Sequence, residues 1–178
     1  MRIDSPPLLG VPGISLRQLD RFDIGSWFSY LRLPHVTEHT SWNLSSARDL
    51  NSLFDALESD APDSIRRLAI VDDASAALIG TIGFHTISDV NRTAEIAYDL
   101  APTHWGRGLG KAACSALTQW GLHVAGWVRV QAVVLETNAR SLAVLEACKF
   151  QREGYLRSYR IVRGEPRNFV LYSRLAKD

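Results

Sequence analysis

Three glycines in five positions, Gly106, Gly108 and Gly110, stand in the stretch THWGRGLGKAA, with Arg107 and Lys111 among them and a strongly helical run behind. Glycines directly ahead of a helix let backbone N–H groups approach an anion, and the helix start adds about half a positive charge. Phosphate binding is therefore the chemistry this spacing offers. A Walker P-loop places its first glycine where Trp105 stands and requires Ser or Thr where Ala112 stands. A dinucleotide fingerprint needs glycine at Lys111, directly after a strand, and here the glycines follow Pro102 instead. Neither motif fits. On its own the stretch is also compatible with a tight turn carrying two solvated cations.

The elements that must position this loop are legible from periodicity. The segment TAEIAYDL ahead of it has strand character, as do RLAIVDD and ALIGTIGFHTIS before it, which makes an antiparallel meander the simplest arrangement. From Gly108 the period changes: Leu109, Ala112, Ala113, Ala116, Leu117, Trp120 and Val124 predict one apolar helical face. VRVQAVVLET reads as a further strand with Val128, Val130, Ala132 and Val134 on one face. Asn138 then caps a short helix that turns Leu142, Leu145 and Cys148 inward. The C-terminal segment reads as two strands joined around Arg163-Gly164-Glu165-Pro166. Upstream, ISLRQLD alternates as a strand and IGSWFSYLRL shifts to helical spacing. PHVTEHTSWNLSSARD is polar and loop-like, and leads into a helix capped by Ser45 or Ser46 with Leu50, Leu53, Phe54 and Leu57 on one face. Strand, helix and strand around residues 92–135 imply a mixed sheet covered by helices. The chain reads as a single domain over 1–178, with residues 1–13 as an N-terminal arm.

With 178 residues, 46% of them hydrophobic, the chain is long enough for one proper core, and a net charge of +1 excludes neither ligand sign but argues against a bulk nucleic-acid binder. Cys114 and Cys148 sit in helical patterns without metal-ligand spacing, so no metal site is expected and a reduced, cytoplasmic protein is. The first residues lack a signal-peptide pattern, and no stretch approaches the roughly 20 apolar residues of a membrane span.

Two motifs in order carry a family resemblance. AEIAYDLAPTHWGRGLGKAACSAL resembles the coenzyme A motif of the GNAT acyltransferases, and LETNARSLAVLEACKFQREGYLRSY resembles their second motif, with Asn-x-x-Ser followed by a short helix. The Trp-Gly-x-Gly loop and the Asn-x-x-Ser step are most similar to the RimJ/RimL-type N-acetyltransferases. Trp105 replaces the usual Gln or Arg, and Lys149 stands where a glycine normally precedes Phe150. The resemblance implies an α/β (α+β) fold, with a mostly antiparallel sheet of about seven strands, flanked by four or so helices and splayed between strands four and five.

It also implies an acetyl-CoA-dependent N-acetyltransferase whose loop, Trp105, Gly106, Arg107, Gly108, Leu109, Gly110 and Lys111, embraces the pyrophosphate, while Asp99, Leu100 and Ala101 supply backbone contacts to the pantetheine arm and Asn138 and Ser141 meet it from the second motif. An amine must be neutral to attack, so a base is required. Glu95 and His85 are the alternatives, Glu95 sharing a strand face with Asp99. Ser141 or Tyr155 would protonate the leaving thiolate. A route through Cys114 or Cys148 is disfavoured because both fall on apolar helical faces. His35, Glu38, His39 and Trp42 are expected in the acceptor wall. The expected partners are acyl-CoA and a primary amine, either a peptide N-terminus or a small molecule. No nucleic acid or membrane is expected, and exposed sheet edges allow a homodimer. A non-catalytic coenzyme A sensor and an acyltransferase for longer acyl groups are the competing expectations.

Overall fold

The computed structural model describes residues 3–178 of the chain, so the first two residues of the expected arm lie outside the described residues. Seven strands form one sheet in the order β1-β2-β3-β4-β5-β7-β6. They are β1 (Ile14–Gln18), β2 (Arg66–Asp72), β3 (Ala77–Ser88), β4 (Thr93–Leu100), β5 (Arg129–Leu135), β6 (Gln151–Val162) and β7 (Glu165–Leu175). Between them run α1 (Ile24–Leu31), α2 (Pro34–Thr37), α3 (Asn51–Leu57), α4 (Leu109–His123) and α5 (Ala139–Ala147). No helix among the described residues is long and apolar enough to cross a membrane.

The period-2 geometry of a strand divides the core in two. Along β2, Leu68 and Ile70 pack with Ala113, Cys114 and Leu117 of α4 and Leu145 of α5. The alternate residues Ala69 and Val71 pack with Trp27, Leu31, Leu50 and Phe54 on the opposite face. The N-terminal arm is tied in as well: Ile3 is buried in the first cluster, and Gln18 Nε2 donates to its carbonyl at 2.6 Å.

The expected meander is present, with β2, β3 and β4 antiparallel. The polar stretch read as loop contains α2, one short turn begun by Pro34, whose fixed φ suits the first helical position. Val124 lies beyond α4 as its C-cap and is 70% exposed, so it does not belong to the buried face of that helix, which ends at Leu122. Ser46 and Asp49 form a capping box on a 3-10 turn, Ala47–Leu50, that runs into α3. Arg163 and Gly164, both at positive φ, join β6 to β7 as in a type I′ hairpin.

The decisive feature lies at the centre. β4 and β5 run parallel and pair only at Thr93↔Arg129, Ala94↔Val130 and Glu95↔Gln131. β4 stays paired with β3 as far as Leu100, and β5 with β7 as far as Leu135. Beyond Glu95 the two central strands therefore part, and the sheet opens into a cleft lined by free strand edges.

Candidate active site

On the β4 side of the opening, the backbone has two faces. Ala101 N–H donates to the Ile79 carbonyl at 2.8 Å, and the register is unbroken from Gly80↔Leu100 to His85↔Glu95. The alternation of an antiparallel ladder then commits the N–H groups of Ala97 and Asp99 to β3 as well and turns those of Tyr98 and Leu100 toward the parted edge. The backbone groups offered to a ligand are thus Tyr98 and Leu100, rather than Asp99 and Ala101 as expected. The Leu100 carbonyl is occupied, accepting from the Trp105 indole at 2.8 Å.

One cavity of about 440 Å³ runs from this edge to the glycine loop, touching Leu100, Trp105, Gly106, Gly108, Leu109, Gly110, Asn138 and Ser141. Gly106 and Gly108 have φ of +73° and +76°, and nothing lies within 4 Å of where a Cβ would stand. These two glycines are required by backbone conformation and leave open space above them. Arg107 and Lys111 are exposed, beside the loop and outside the cavity lining. Arg140, which the motif reading missed, lines the cavity and holds its guanidinium 4.4 Å from the Trp105 ring centroid. Its place two residues after the Asn138 cap is a usable signal, because that position lies in the first turn of α5.

A second cavity of about 340 Å³ enters from the other side, walled by Trp42, Leu53, Ile65, Arg67, His85, Arg160 and Phe169. The two cavities share His39, Thr40, Tyr98, Asp99, Asn138 and Ser141. A chain of hydrogen bonds fixes this junction. Asn138 Nδ2 donates to the His39 carbonyl at 2.9 Å, Asn138 Oδ1 caps α5 by accepting from the Ser141 N–H at 3.0 Å, and Ser141 Oγ lies 2.9 Å from the Tyr98 hydroxyl. Burial pushes the Tyr98 phenol well up from its ordinary value, so it keeps its proton across the working range of pH. Sequence reasoning missed Tyr98 altogether. It occupies the first position past the parting whose backbone and ring both face the cleft.

The carboxylates are committed elsewhere. Asp99 Oδ1 accepts from Trp27 Nε1 at 3.0 Å and from the Tyr30 hydroxyl. Its Oδ2 accepts from Arg67 Nη2 at 2.6 Å and Thr81 Oγ1 at 2.8 Å. This buried network pins β4 to α1, β2 and β3. Desolvation beside Asp99 pushes the Tyr30 phenol well above its ordinary range. Glu95 is 3% exposed. It accepts from Arg160 Nη2 at 3.1 Å and Gln131 Nε2 at 3.3 Å, and His85 Nε2 stands 3.5 Å away. Glu95 therefore lies under the second cavity and outside its lining, which corrects its expected place in the open site. His85 does line that cavity. Its Nδ1 lies 3.0 Å from Thr86 Oγ1, and burial lowers its pKa below 6.5, which leaves the imidazole neutral at pH 7.

Three further expectations are corrected. Tyr155 projects from β6, the outermost strand, and its hydroxyl bonds Glu136, away from both cavities. His35 is exposed and meets Trp105 edge-on, with ring centroids 5.9 Å apart, and Glu38 lines a separate surface cleft with Arg163 and Arg167. Of the expected acceptor wall, only His39 and Trp42 line the second cavity. Cys114 and Cys148 are free and buried, and line neither cavity.

A family model described as an acetyltransferase (GNAT) domain matches residues 14–151. The chain is 30% identical over 169 residues to the uncharacterized N-acetyltransferase p20 of Bacillus licheniformis, covering 93% of this chain and 94% of that protein. Among solved structures, a spermidine N-acetyltransferase of Vibrio cholerae in complex with CoA and spermine superposes with a TM-score of 0.82 at 21% identity, over 94% of this chain and 98% of the other. A ribosomal-protein-S5-alanine acetyltransferase of Vibrio fischeri gives a TM-score of 0.81 at 20% identity, over 94% and 96% of the two chains. At such identities the structural likeness establishes the fold.

Proposed function

This chain belongs to the GNAT acetyltransferase family and is an acyltransferase, and from that premise we propose that it moves an acetyl group from acetyl-CoA directly to a primary amine, either a protein N-terminal α-amine or a small amine. The observation that carries the reading is the meeting of two cavities at the Tyr98–Ser141 contact, where the parted strands let cofactor and acceptor approach one point from opposite sides. The two structural relatives bear the names of a spermidine and a ribosomal-alanine acetyltransferase, and both of those acceptors are primary amines.

The residues divide the work as follows. N–H groups of the Gly106–Lys111 loop at the start of α4 hold the pyrophosphate, and Arg107 and Lys111 supply charge from the rim. The pantetheine arm lies along the free edge of β4 like a short added strand. An N–H on that edge faces the thioester oxygen and stabilises the developing oxyanion, an effect worth roughly 3 kcal/mol per donor. The amine nitrogen attacks the carbonyl carbon and its proton passes toward the neutral His85, beside which Glu95 stands. The C–S bond breaks, and the thiolate takes a proton from the Ser141–Tyr98 pair, with Ser141 nearer the sulfur. No covalent enzyme intermediate is needed.

Thiol release from acetyl-CoA across a panel of amines, read beside calorimetric binding of acetyl-CoA, tests this directly. Release that depends on an added amine is the expected result. Binding without release on any amine favours a sensor, and absence of both overturns the reading.

A further inference from the structure

The second cavity offers an incoming amine no free carboxylate. Asp99 has four donors on its two oxygens, one of them the Arg67 guanidinium. Glu95, buried beneath the cavity floor, is covered by Arg160, whose guanidinium lines the cavity, is held 5.4 Å from the Phe169 ring centroid and lies 3.1 Å from Glu95 Oε1. The rest of the wall mixes apolar side chains, Trp42, Leu53, Ile65 and Phe169 among them, with uncharged polar ones such as Thr40, Ser41, Asn138 and Ser141. An ammonium group entering here would lose its hydration with no anion to replace it, and a polyamine would do so more than once.

We propose that Arg160 is the specificity-determining residue of the acceptor cavity: with Asp99 tied by its four donors, Arg160 holds Glu95 and so removes the remaining carboxylate that would draw a multiply charged amine toward the floor, and the cavity selects amines arriving uncharged on an apolar body. The inference rests on the acetyl transfer proposed above and names the acceptor class it favours. An α-amine with pKa near 7.8 is about 14% neutral at pH 7, and an alkylamine near 10.4 about 0.04%, a difference of roughly 300-fold in the form the cavity admits. An amidated apolar amino acid satisfies both requirements, and spermidine neither.

The test compares kcat/KM for leucinamide, butylamine and spermidine between pH 6.5 and 9.5 at saturating acetyl-CoA. In the wild-type protein leucinamide leads spermidine by about 100-fold or more at pH 7. Butylamine rises about tenfold per pH unit, while leucinamide flattens above roughly pH 8. In Arg160→Gln, which uncovers Glu95, the leucinamide-to-spermidine ratio falls at least about tenfold through a lower KM for spermidine, and Arg160→Lys restores the ratio. Spermidine preferred by the wild-type protein overturns the inference and leaves acetyl transfer standing, as does an unchanged ratio in a folded Arg160→Gln. No acetylation of any amine overturns both. Should that variant fail to fold, Arg160→Met, which keeps the alkyl stem and removes the charge, is read against the same ratio.

Discussion

Gly108 is the residue at which coenzyme binding is most sharply testable. It stands as the N-cap of α4 at φ +76° with nothing within 4 Å of an added Cβ, so a side chain there meets no steric obstacle and pays only for its left-handed backbone. That strain costs about 1–2 kcal/mol for any L-residue, a fall of roughly 2–8 °C in Tm for a domain of this size, and Gly108→Ala measures it alone. Gly108→Glu adds a carboxylate beside the proposed pyrophosphate. At ~5 Å and an effective dielectric of ~20, one like-charge pair costs about 3 kcal/mol, which corresponds to a Kd weakened roughly 100-fold. Calorimetry with acetyl-CoA at low salt, paired with thermal melts, separates the two effects. The alanine variant should melt lower and bind within about tenfold of wild type. The glutamate variant should melt similarly and bind at least about 100-fold more weakly. Equal affinities in the two variants would refute the placement of the pyrophosphate at this loop.

Other residues give independent checks. Asp99→Asn leaves the buried Arg67 guanidinium, 2.6 Å from its present partner, without a counter-charge and should lower unfolding free energy by about 3–5 kcal/mol in urea titration; a loss under about 1 kcal/mol would show that the network does not anchor β4. Tyr98→Phe should reduce kcat about 10- to 100-fold with the Kd for acetyl-CoA unchanged, and an unaltered kcat would remove Tyr98 from the proton path. Lys149 holds φ +63° just past α5, in the left-handed conformation glycine favours, so Lys149→Gly should stabilise the fold by about 0.5–1 kcal/mol, measured as a rise in Tm. Burial holds the His85 imidazole below 6.5, so as pH falls the unfolded chain takes up its proton first. The His85 contribution to stability is full above about pH 6.5 and is lost progressively below it, down through the folded pKa. Once the titration of the substrate amine itself is divided out, the acid limb of kcat/KM should fall below pH 6.5 and vanish in His85→Gln, and a remaining limb at or above 6.5 would contradict the assignment.

Local signals in the sequence translated well into structure. The 3.6-residue spacing from Leu109 became α4, Asn138 caps α5 through its own side chain, and Gly106 and Gly108 of the loop take positive φ while Gly110 joins the helix. What the sequence alone does not carry is the partnership between distant elements. Asp99 collects donors from 18 to 72 residues away, and no local pattern announces them. Period-2 alternation puts Glu95 on the Asp99 face of β4, but its burial depends on Arg160, brought from β6 across 65 residues. Tyr155 was misplaced for the same reason, because only the strand order shows β6 to be the outer edge. Tyr98 was overlooked since its value comes from a free strand edge, and the parting of β4 from β5 is a tertiary event.

The most direct test of the central claim, that amine and thioester meet at one junction and react without an enzyme-bound acyl group, is the initial-rate pattern with acetyl-CoA and an accepted amine varied together. Direct transfer predicts lines that intersect in the double-reciprocal plot, because both substrates must occupy the two joined cavities before either product forms. Parallel lines, with an acetylated protein trapped when the amine is withheld, would contradict it.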